Sequence, residues 1–449
     1  MIAREQKHDQ RGTAGRWCVI GAGPSGLTAL KHLRAAGIEA ECLEREDDVG
    51  GNWYFGSAAS AVFASTRLIS SKSLTEYPDY PMPRQWPAYP DHRQCLEYLR
   101  GYAKHFGLLP HIQTRATVER IEPANDPRGG WIVHATGRVP AAYAGVVIAS
   151  GHNRLPRFPD IPGGFAGPRL HACDYKSPLE PVPIAGKRVL VIGGGNSAAD
   201  IAVECSRHAA RTVQSTRRGY YVVPRFILGR PADLRGERLL KMHAPLWLRR
   251  LVSLRMIDRT IGLPHRHGLG KPDHGLFASH PVINEELYAR IDSGVLSAAA
   301  DVRAFEGSEA VFADGRREPF DVVICATGYR IAHPFIAPEH LCEQEGTPRL
   351  FVNLLHPTRD DIAVVGLIQP DSGQWGITDR QARLVAQMAV AARHAPRAAA
   401  WLYRQRQRPA AKRPIEYVDS PRHRLEVEHF SYRRRLERLI QSMDRRLRR

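Results

Sequence analysis

The sequence has few cysteines, and they are not arranged in pairs. Its 449 residues include seven cysteines, and no Cys-x-x-Cys motif occurs among them. An odd number of scattered thiols is typical of a reducing compartment, and the missing pair excludes the dithiol relay of a disulfide reductase. We therefore expect a cytoplasmic protein. The cysteines are Cys18, Cys42, Cys95, Cys173, Cys205, Cys325 and Cys342.

Long apolar runs are also missing. The first sixteen residues are polar and lack the apolar core of a signal peptide. No uninterrupted apolar stretch approaches the length of a membrane span. At 449 residues the chain is long enough for two or three domains and a sizeable core. These features predict a soluble enzyme of several domains.

The sequence contains no recognisable metal site or nucleophilic triad. The 20 histidines include His265, His267 and His274, but their spacing fits no zinc site. We also find no Ser-His-Asp or Cys-His arrangement. We therefore expect no metal ion and no covalent catalysis by a side chain.

The net charge of +18 is concentrated near the C-terminal end. Residues 380–449 contain 19 Lys and Arg residues against six Asp and Glu residues. Such a block can bind nucleic acid or an anionic membrane surface, but no nucleic-acid motif accompanies it. Its apolar residues Tyr432, Leu436, Leu439 and Ile440 have helical spacing. We expect no nucleic-acid partner, and we favour a packed helix over contact with a membrane surface.

Two glycine-rich turns, 172 residues apart, are the strongest signal in the chain. The first is Gly21-Ala22-Gly23-Pro24-Ser25-Gly26, after the apolar run 17–20, and the second is Gly193-Gly194-Gly195-Asn196-Ser197-Ala198, after 189–192. Each turn lies between a predicted strand and a predicted helix, where backbone N–H groups can bind a pyrophosphate. Two such units predict two dinucleotides and electron transfer between them.

The residues that would contact each ribose distinguish the two nucleotides. Glu44 ends the strand after the first turn, 23 positions after Gly21, and its carboxylate would bind ribose hydroxyls and repel a 2′-phosphate. The same offset from Gly193 leads to Thr216, which Arg217 follows. Because Arg forms charge-assisted bonds to phosphate, the second nucleotide is predicted to be NADPH. The alternative is an arginine that is merely a solvated surface charge.

Strands alternate with helices along the chain, which predicts an α/β fold with two Rossmann-like dinucleotide-binding domains. The first domain would comprise residues 1–185 and 320–449, with the second nucleotide domain, 186–319, inserted between them. Residues 219–280 have irregular composition. Their apolar stretch 239–261 carries four arginines and is interrupted by a proline. An amphipathic lid or a membrane-surface helix is one interpretation, and we favour a surface helix packed on the domain.

The most specific motif precedes the second glycine turn. Phe165, Gly167, His171 and Tyr175 fit the pattern F-x-G-x-x-x-H-x-x-x-Y of the flavin-containing monooxygenase family. With both glycine turns and the Gly-Asn-Trp sequence at 51–53, the chain resembles this family over about residues 15–440. Baeyer–Villiger monooxygenases share the Phe, Gly and His but usually carry Trp in place of Tyr175.

The resemblance implies two cofactors, FAD and NADPH. The implied FAD-binding residues are Gly21, Gly23, Pro24, Ser25, Gly26, Glu44, Arg45, Gly51, Asn52, Trp53, Val118, Thr327, Gly328 and Gln369. The implied NADPH-binding residues are Gly193, Gly195, Asn196, Ser197, Ala198, Ser215, Thr216 and Arg217. His171 and Tyr175 would lie in the hinge region between the domains, where a packing role and a chemical role are both open.

The resemblance also implies the reaction. NADPH would reduce the flavin, and O2 would add to it as a C4a-(hydro)peroxide. One oxygen atom would then pass to a soft nucleophile, an amine nitrogen or a sulfide sulfur of a small molecule. The alternatives are Baeyer–Villiger oxygenation of a ketone, oxidative decarboxylation, NADPH oxidation with peroxide release, and a flavin-bound binding protein. The sequence leaves the substrate and the choice between monomer and homodimer open.

One position departs from the family pattern. Relatives commonly carry T-N-x-P/S-K in a loop where the Asn lies over the flavin and nicotinamide. Here Ile69 takes the place of that Asn, followed by Ser70 and, at the end of the loop, Lys72. An apolar side chain cannot donate the hydrogen bond of an amide. We therefore assign no catalytic residue at this site and expect an enzyme that releases peroxide.

Overall fold

A computed structural model describes residues 15–58, 60–126, 129–242, 244–409, 415–420 and 423–448. Helices and parallel strands alternate along this part of the chain. The helices are α1 (Pro24–Ala35), α2 (Lys72–Thr75), α3 (His92–His105), α4 (Asn196–Cys205), α5 (Ala232–Lys241), α6 (Leu246–Thr260), α7 (Leu287–Asp292), α8 (Trp375–His394), α9 (Pro396–Arg406) and α10 (His429–Leu447).

The first sheet has five parallel strands and carries the first glycine turn. In spatial order they are Ile362–Val364, Gly145–Ile148, Trp17–Ile20, Ala40–Leu43 and Ile112–Gln113. The strands are mostly apolar because both faces of the sheet are covered. Helices α1 and α8 pack on one face. An antiparallel meander packs on the other, and its strands are Val118–Pro123, Trp131–Ala135 and Ala141–Tyr143.

The second sheet repeats this plan around the second glycine turn. Its parallel strands are, in spatial order, Leu296–Ala299, Arg211–Ser215, Arg188–Ile192, Val322–Cys325 and Arg169–His171. Helix α4 covers one face, and the meander Val302–Glu306, Glu309–Phe312 and Arg317–Pro319 covers the other. The predicted α/β fold with two Rossmann-like units is confirmed. The sheet takes one strand from before residue 186 and one from after residue 319, so it extends past the predicted limits of the inserted domain.

The irregular segment 219–280 folds into two helices and short strand pairs. The apolar stretch 239–261 is divided between α5 and α6, because Pro245 is the N-cap residue of α6. The short pairs in and around this segment are Val222–Val223 with Val282–Ile283, and Phe226–Ile227 with Arg230–Pro231. We call residues 219–280 the insertion.

Three further strand pairs join distant parts of the chain. They are Leu155–Pro156 with Tyr329–Arg330, Glu343–Gln344 with Thr347–Pro348, and Gln369–Pro370 with Glu426–Val427. In the first pair, Leu155–Pro156 belongs to the proline-rich segment 155–162 that links the two sheets. The last pair brings the residues just before α10 to the first nucleotide unit.

The basic C-terminal segment ends in α10, which packs against α8. Leu436 and Met443 on α10 are fully buried, and Tyr432 accepts a hydrogen bond from the Gln381 side chain at 2.7 Å. The predicted packed helix with a charged outer face is confirmed. Among the described residues, no helix is both long and apolar enough to cross a membrane.

Candidate functional site

A cavity of about 980 Å³ opens between the two nucleotide units and the insertion. This volume is at the upper end for small-molecule sites. The predicted site residues that line it are Gly21, Gly23, Pro24, Ser25, Glu44, Arg45, Gly51, Asn52, Trp53, Ile69, Ser70, Val118, Asn196, Ser197 and Gln369. Residues implied for two different nucleotides therefore face one shared space.

Glycines line the cavity where the strand Trp17–Ile20 turns into α1. Gly21 has φ = +99°, and a Cβ there would lie 2.8 Å from the carbonyl oxygen of Ala149. A Cβ on Gly26 would overlap the carbonyl oxygen of Gly21, and one on Gly51 would lie 2.9 Å from the Cα of Gly23. Side chains are thus excluded from the surface formed by the first glycine turn and Gly51, which we call a glycine cradle. The N-terminus of α1 opens onto it. Such a surface fits a dinucleotide pyrophosphate.

Glu44 lies beside this cradle at the end of the strand Ala40–Leu43. Its carboxylate accepts hydrogen bonds from the N–H groups of Ala22 at 2.5 Å and Glu46 at 2.9 Å. Burial raises the pKa of the Glu44 carboxyl, while these two N–H donors oppose the shift. The carboxylate lines the cavity and can accept further hydrogen bonds. This arrangement fits the ribose-binding acid that the sequence predicts.

The loop 51–53 is fixed by its own polar contacts. The Asn52 side-chain oxygen accepts a hydrogen bond from the N–H of Ala61 at 2.8 Å, and the Asn52 carbonyl accepts one from Ser60. Trp53 packs edge-on against Trp375, with ring centroids 5.8 Å apart. The loop is therefore a rigid part of the cavity wall.

The second glycine turn reaches the same cavity through Asn196 and Ser197. A Cβ on Gly193 would lie 2.3 Å from the carbonyl oxygen of Ala326. The Asn196 side chain accepts from the N–H of Ile283 at 2.7 Å and so ties α4 to the strand Val282–Ile283, which follows the insertion. Gly195 caps α4, and Ala198 is fully buried behind it. The turn has the same open N-terminus as the first and fits a second dinucleotide.

The predicted 2′-phosphate residues differ in their exposure. Ser215 is fully buried and donates to the carbonyl oxygen of Ala300 at 2.6 Å. Thr216 is half-buried, and Arg217 is exposed. Among the described residues Arg217 has neither an ion pair nor a hydrogen bond, whereas Arg218 pairs with Asp273 at 3.3 Å. Arg217 is therefore the guanidinium at this strand end that is available to an anion.

The loop that departs from the family pattern does line the cavity. Ile69 faces it, but the hydroxyl of Ser70 is hydrogen-bonded to that of Thr75 at 2.8 Å. Lys72 does not line it: its ammonium donates to the carbonyls of three residues, Pro83, Arg84 and Trp86. Lys72 thus fixes the loop, and Ser70 does not replace the missing amide.

The family motif lies outside the cavity, packed on the second nucleotide unit. Phe165 packs on Phe305 with centroids 5.3 Å apart, and a Cβ on Gly167 would lie 2.8 Å from the carbonyl oxygen of Asp321. Tyr175 donates to Glu204 of α4 at 2.8 Å. These contacts give the motif a packing role in this structure.

His171 connects the second sheet to the crossing between the two units. Its Nε2 lies 3.0 Å from the carbonyl oxygen of Gly328, and burial lowers its pKa. Thr327, next to Gly328, donates to the carbonyl of Arg157. Thr327 and Gly328 hold the crossing strands and do not line the cavity.

Sequence reasoning missed the insertion as a wall of the cavity. It contributes Ile227, Leu240, Val252, Met256 and Leu276. In α6, arginines and apolar residues lie on several sides of the helix, so its sequence does not indicate which face is turned inward.

Sequence reasoning also missed several half-buried titratable groups that line the cavity. Burial raises the pKa of Asp200 to about 6 and that of Asp371 to about 7, and lowers the pKa of His152 to about 4. Asp233 of α5 accepts from the N–H of Ser71 at 2.7 Å and joins the insertion to the loop of Ile69. Asp371 follows Gln369 by two residues, and that proximity was the available signal.

Comparison with known proteins agrees with this geometry. The chain is 34% identical over 440 residues to flavin-containing monooxygenase 5 of Rattus norvegicus, covering 92% of this chain and 80% of the relative. It is 34% identical over 391 residues to dimethylaniline monooxygenase [N-oxide-forming] 2 of Oryctolagus cuniculus, covering 82% and 72%. The structure of OTEMO in complex with FAD and NADP superimposes with a TM-score of 0.68 at 16% identity, covering 96% of this chain and 98% of that one.

The family assignment covers nearly the whole sequence. Residues 14–445 match the flavin-binding monooxygenase-like family. Its members are FAD- and NADP-dependent oxidoreductases, and both glycine cradles fit these cofactors. This chain belongs to the flavin-binding monooxygenase-like family.

Proposed function

We propose that this protein transfers one oxygen atom from O2 to a soft nucleophile of a small molecule, an amine nitrogen or a sulfide sulfur. The observation that carries the proposal is the single cavity onto which both glycine turns and the insertion open. When bound, the two cofactors supply hydride transfer and activation of O2. NADPH, a proton, O2 and the substrate give NADP+, water and the oxygenated substrate.

The chain's own residues bind and orient the cofactors and exclude water from the site. The glycine cradles position the two pyrophosphates, and the hydrogen bond between Asn196 and Ile283 holds the second turn against the strand Val282–Ile283. Asp233 and Ser71 close the insertion onto the loop of Ile69. The apolar residues of the insertion then keep bulk water from the reacting centre.

Amine oxygenation is favoured by the relative from Oryctolagus cuniculus, whose name describes an N-oxide-forming enzyme. The reaction requires a nitrogen or sulfur lone pair, and no side-chain nucleophile is needed for it. The wall formed by the insertion sets which small molecules reach the site.

The test combines flavin spectroscopy with product analysis. The purified protein should be yellow, and its flavin absorbance should bleach when NADPH is added without oxygen. With oxygen, NADPH consumption should rise with amines or thioethers, and product mass should increase by one oxygen atom. Colourless protein that FAD cannot reconstitute would disprove the proposal.

Two glycine variants give the spectroscopic test a matched pair. Gly26→Ala should abolish flavin binding, because its Cβ would overlap the carbonyl oxygen of Gly21. Gly164→Ala should remain yellow, since no atom lies within 4 Å of a Cβ there. Oxygenation of ketones alone would indicate Baeyer–Villiger activity, peroxide without product would indicate an NADPH oxidase, and no NADPH consumption would indicate a binding protein.

A further inference from the structure

A row of aromatic rings leads from the cavity to the surface of the first nucleotide unit. Its inner end is Trp375 at the start of α8, which lines the cavity together with Trp53. Its outer end is Tyr80, which is half-buried and lies beside the exposed ring of His105, with centroids 5.0 Å apart. We call six residues the aromatic chain: Trp53, Trp375, Tyr77, Tyr98, Tyr102 and Tyr80.

The shortest route through the aromatic chain passes through Tyr98. The ring centroids of Trp53 and Trp375 are 5.8 Å apart. Those of Trp375 and Tyr98 are 5.6 Å apart, with the rings nearly parallel, and those of Tyr98 and Tyr80 are 5.2 Å apart. These are the separations of packed aromatic pairs. A continuous series of indole and phenol rings, which lose an electron far more readily than a phenyl ring, thus joins the cavity to the surface.

A second route leaves Trp375 and ends at the same tyrosine. The ring centroids of Trp375 and Tyr77 are 6.1 Å apart, and those of Tyr77 and Tyr102 are 4.2 Å apart. Those of Tyr102 and Tyr80 are 5.7 Å apart. Both routes therefore begin at Trp375 and end at Tyr80.

Helix α3 sets the spacing of the outer rings. Tyr98, Tyr102 and His105 follow one another at intervals of four and three residues, so they lie on one face of the helix. Packing alone would also be satisfied by phenylalanine or leucine on this face. The feature that packing does not explain is the series of oxidisable rings from the cavity to solvent.

The interior phenols are poorly placed to lose a proton. Tyr77 donates a hydrogen bond to the carbonyl oxygen of Pro24 at 2.7 Å, and Tyr98 donates one to the carbonyl oxygen of Tyr80. A backbone carbonyl accepts a hydrogen bond but is too weak a base to take the proton. Burial raises the pKa of both phenols well above its ordinary value. An electron vacancy on either ring is therefore not trapped by deprotonation and can move on.

Tyr80 differs from these phenols because it is half-buried and adjoins an exposed imidazole. An oxidised tyrosine gives up its phenolic proton when a base can take it. Water and the His105 ring are such bases. The vacancy therefore comes to rest at Tyr80, as a neutral tyrosyl radical at the protein surface.

We infer that the aromatic chain carries single electrons from the protein surface to the cavity, and that it thereby removes one-electron oxidants formed where the flavin meets O2. This activity is separate from the proposed oxygen transfer and does not depend on the substrate. It protects the cavity wall, because the oxidising equivalent leaves the site before it damages a side chain there.

The transfer balances in electrons and protons. The oxidant takes one electron from the indole of Trp53 or Trp375, and Tyr98 or Tyr77 refills the indole. An electron from Tyr80 refills that tyrosine, and the phenolic proton of Tyr80 goes to water or to His105. A reductant in solution, of the thiol or ascorbate class, then returns one electron and one proton to Tyr80.

Blue light tests the aromatic chain without NADPH, O2 or substrate. Illumination of the FAD-loaded full-length protein under argon makes the flavin a one-electron oxidant of a neighbouring indole. Wild-type protein should show a tryptophan radical and then a tyrosyl radical in transient absorption, and EPR after rapid freezing should identify the tyrosyl radical. Ascorbate should remove the tyrosyl signal and leave the flavin bleached.

Variants at the two ends locate the route. Trp375→Phe should weaken both radical signals, whereas Tyr80→Phe should keep the tryptophan signal and lose the tyrosyl signal. Both keep an aromatic ring for packing, and flavin absorbance reports that each variant is folded and loaded. Tyr98→Phe and Tyr102→Phe should each give only a partial loss, because the other route remains.

Two matched controls lie outside the aromatic chain. Tyr403 is an exposed tyrosine of α9, and Trp131 is a fully buried tryptophan in the meander of the first unit. Neither has a ring contact with the aromatic chain among the described residues. Tyr403→Phe and Trp131→Phe should therefore leave both radical signals unchanged.

The outcomes separate this inference from the proposed function. No tyrosyl radical in wild-type protein, a full tyrosyl signal in Tyr80→Phe, or equal losses in Tyr80→Phe and Tyr403→Phe would overturn the inference. A radical that depends on Tyr80 in a protein that oxygenates no amine or thioether would keep the inference and disprove the proposed function. With NADPH, O2 and ascorbate but no substrate, mass spectrometry should find more oxidised Trp53 in Tyr80→Phe than in wild-type protein, and equal oxidation would overturn the protective role.

Discussion

Asp371 lies in an environment that differs from that of an ordinary surface carboxylate. Burial is the main cause that raises its pKa to about 7, followed by the negative charge of Glu428, with Glu426 adding to it. The N–H of His429 and the charge of His280 oppose the shift. A folded-state pKa above the unfolded value means that the folded protein binds the proton more tightly.

This shift predicts how stability depends on pH. The Asp371 contribution to folding is favourable while the group is protonated in the folded state, and it is lost as the pH rises from about 4 towards 7. Asp371→Asn should therefore be more stable than wild-type protein at pH 8, and this advantage should shrink at pH 5. Chemical denaturation at both values measures it. An equal stability difference at the two pH values would contradict the assigned pKa.

Ile69 is the residue at which this chain departs from its family pattern. With Ser70 committed to Thr75, no side chain of this loop segment restores the missing amide. A lost hydrogen bond of about 0.5–1.5 kcal/mol changes a rate by up to roughly tenfold. We expect wild-type enzyme to release hydrogen peroxide from NADPH and O2 without substrate.

Ile69→Asn should lower this peroxide release by up to roughly tenfold. Ile69→Leu, which is also apolar and of similar volume, should release peroxide at the wild-type rate. A peroxide assay alongside NADPH consumption distinguishes the variants. Negligible peroxide from wild-type enzyme would show that the Asn is not needed here.

Arg217 predicts the choice of nicotinamide cofactor. It is exposed and has no ion pair among the described residues. A charged hydrogen bond contributes about 1.5–3 kcal/mol, or roughly ten- to a hundredfold in affinity. Arg217→Ala should raise KM for NADPH by this factor and leave KM for NADH nearly unchanged. The control Arg218→Ala, which loses an ion pair with Asp273, should have a smaller effect on KM for NADPH. Equal increases in KM for both cofactors in Arg217→Ala would show that Arg217 does not contact the 2′-phosphate.

Among the secondary-structure elements, local pattern decided what the sequence could predict. The glycine turn and Gly37 predict a helix from about Ser25 to Ala36, and α1 spans Pro24–Ala35. The short apolar run 362–365 likewise predicts a strand that returns to the first domain, and the structure has a strand at Ile362–Val364. The sequence does not predict the pairing of Gln369–Pro370 with Glu426–Val427, because two residues carry no period and the partners lie far apart in sequence.

The face of the insertion that lines the cavity could not be predicted, for a related reason. Helix α6 has arginines and apolar residues on several of its sides, so periodicity does not assign it an inward face. The cavity supplies that assignment: Leu240 of α5 and Met256 of α6 both line it. The predicted site residues on the glycine turns needed no such long-range information, because turn and helix are adjacent in sequence.

The helix α10 predicts a stability effect that reaches the flavin site. Leu436 is fully buried against the core that includes α8, and the strand just before α10 pairs with Gln369–Pro370. Leu436→Ala should cost about 2–5 kcal/mol and speed flavin loss on heating. Truncation after Val427 should abolish flavin retention.

The outer face of α10 provides the control. Arg438→Ala should change stability by no more than about 0.5 kcal/mol, as is usual for exposed positions. Flavin fluorescence during thermal unfolding reports both events. A truncated protein that stays soluble, yellow and active would show that α10 is a docking element and not part of the fold.

At the scale of the whole molecule, two similar sheets share one functional space. Each sheet has helices on one face and an antiparallel meander on the other, and the chain crosses between them near residues 155–156 and 329–330. Across this crossing, Nε2 of His171 lies 3.0 Å from the carbonyl oxygen of Gly328. Both glycine turns open onto the same cavity. A nucleotide bound at one turn would therefore lie next to the space of a nucleotide bound at the other turn.

This shared space predicts that the two cofactors stabilise the protein cooperatively. A ligand that binds only the folded state adds about 2.7 kcal/mol at a hundredfold excess over its Kd. If FAD completes part of the surface that NADP+ contacts, NADP+ should bind more tightly to the FAD-loaded protein, and by linkage FAD should be retained better with NADP+. The shift in Tm on adding NADP+ should therefore be larger for FAD-loaded than for deflavinated protein, and NAD+ should give a smaller shift in both. Equal NADP+ shifts with and without FAD would show that the two sites are independent despite the common cavity.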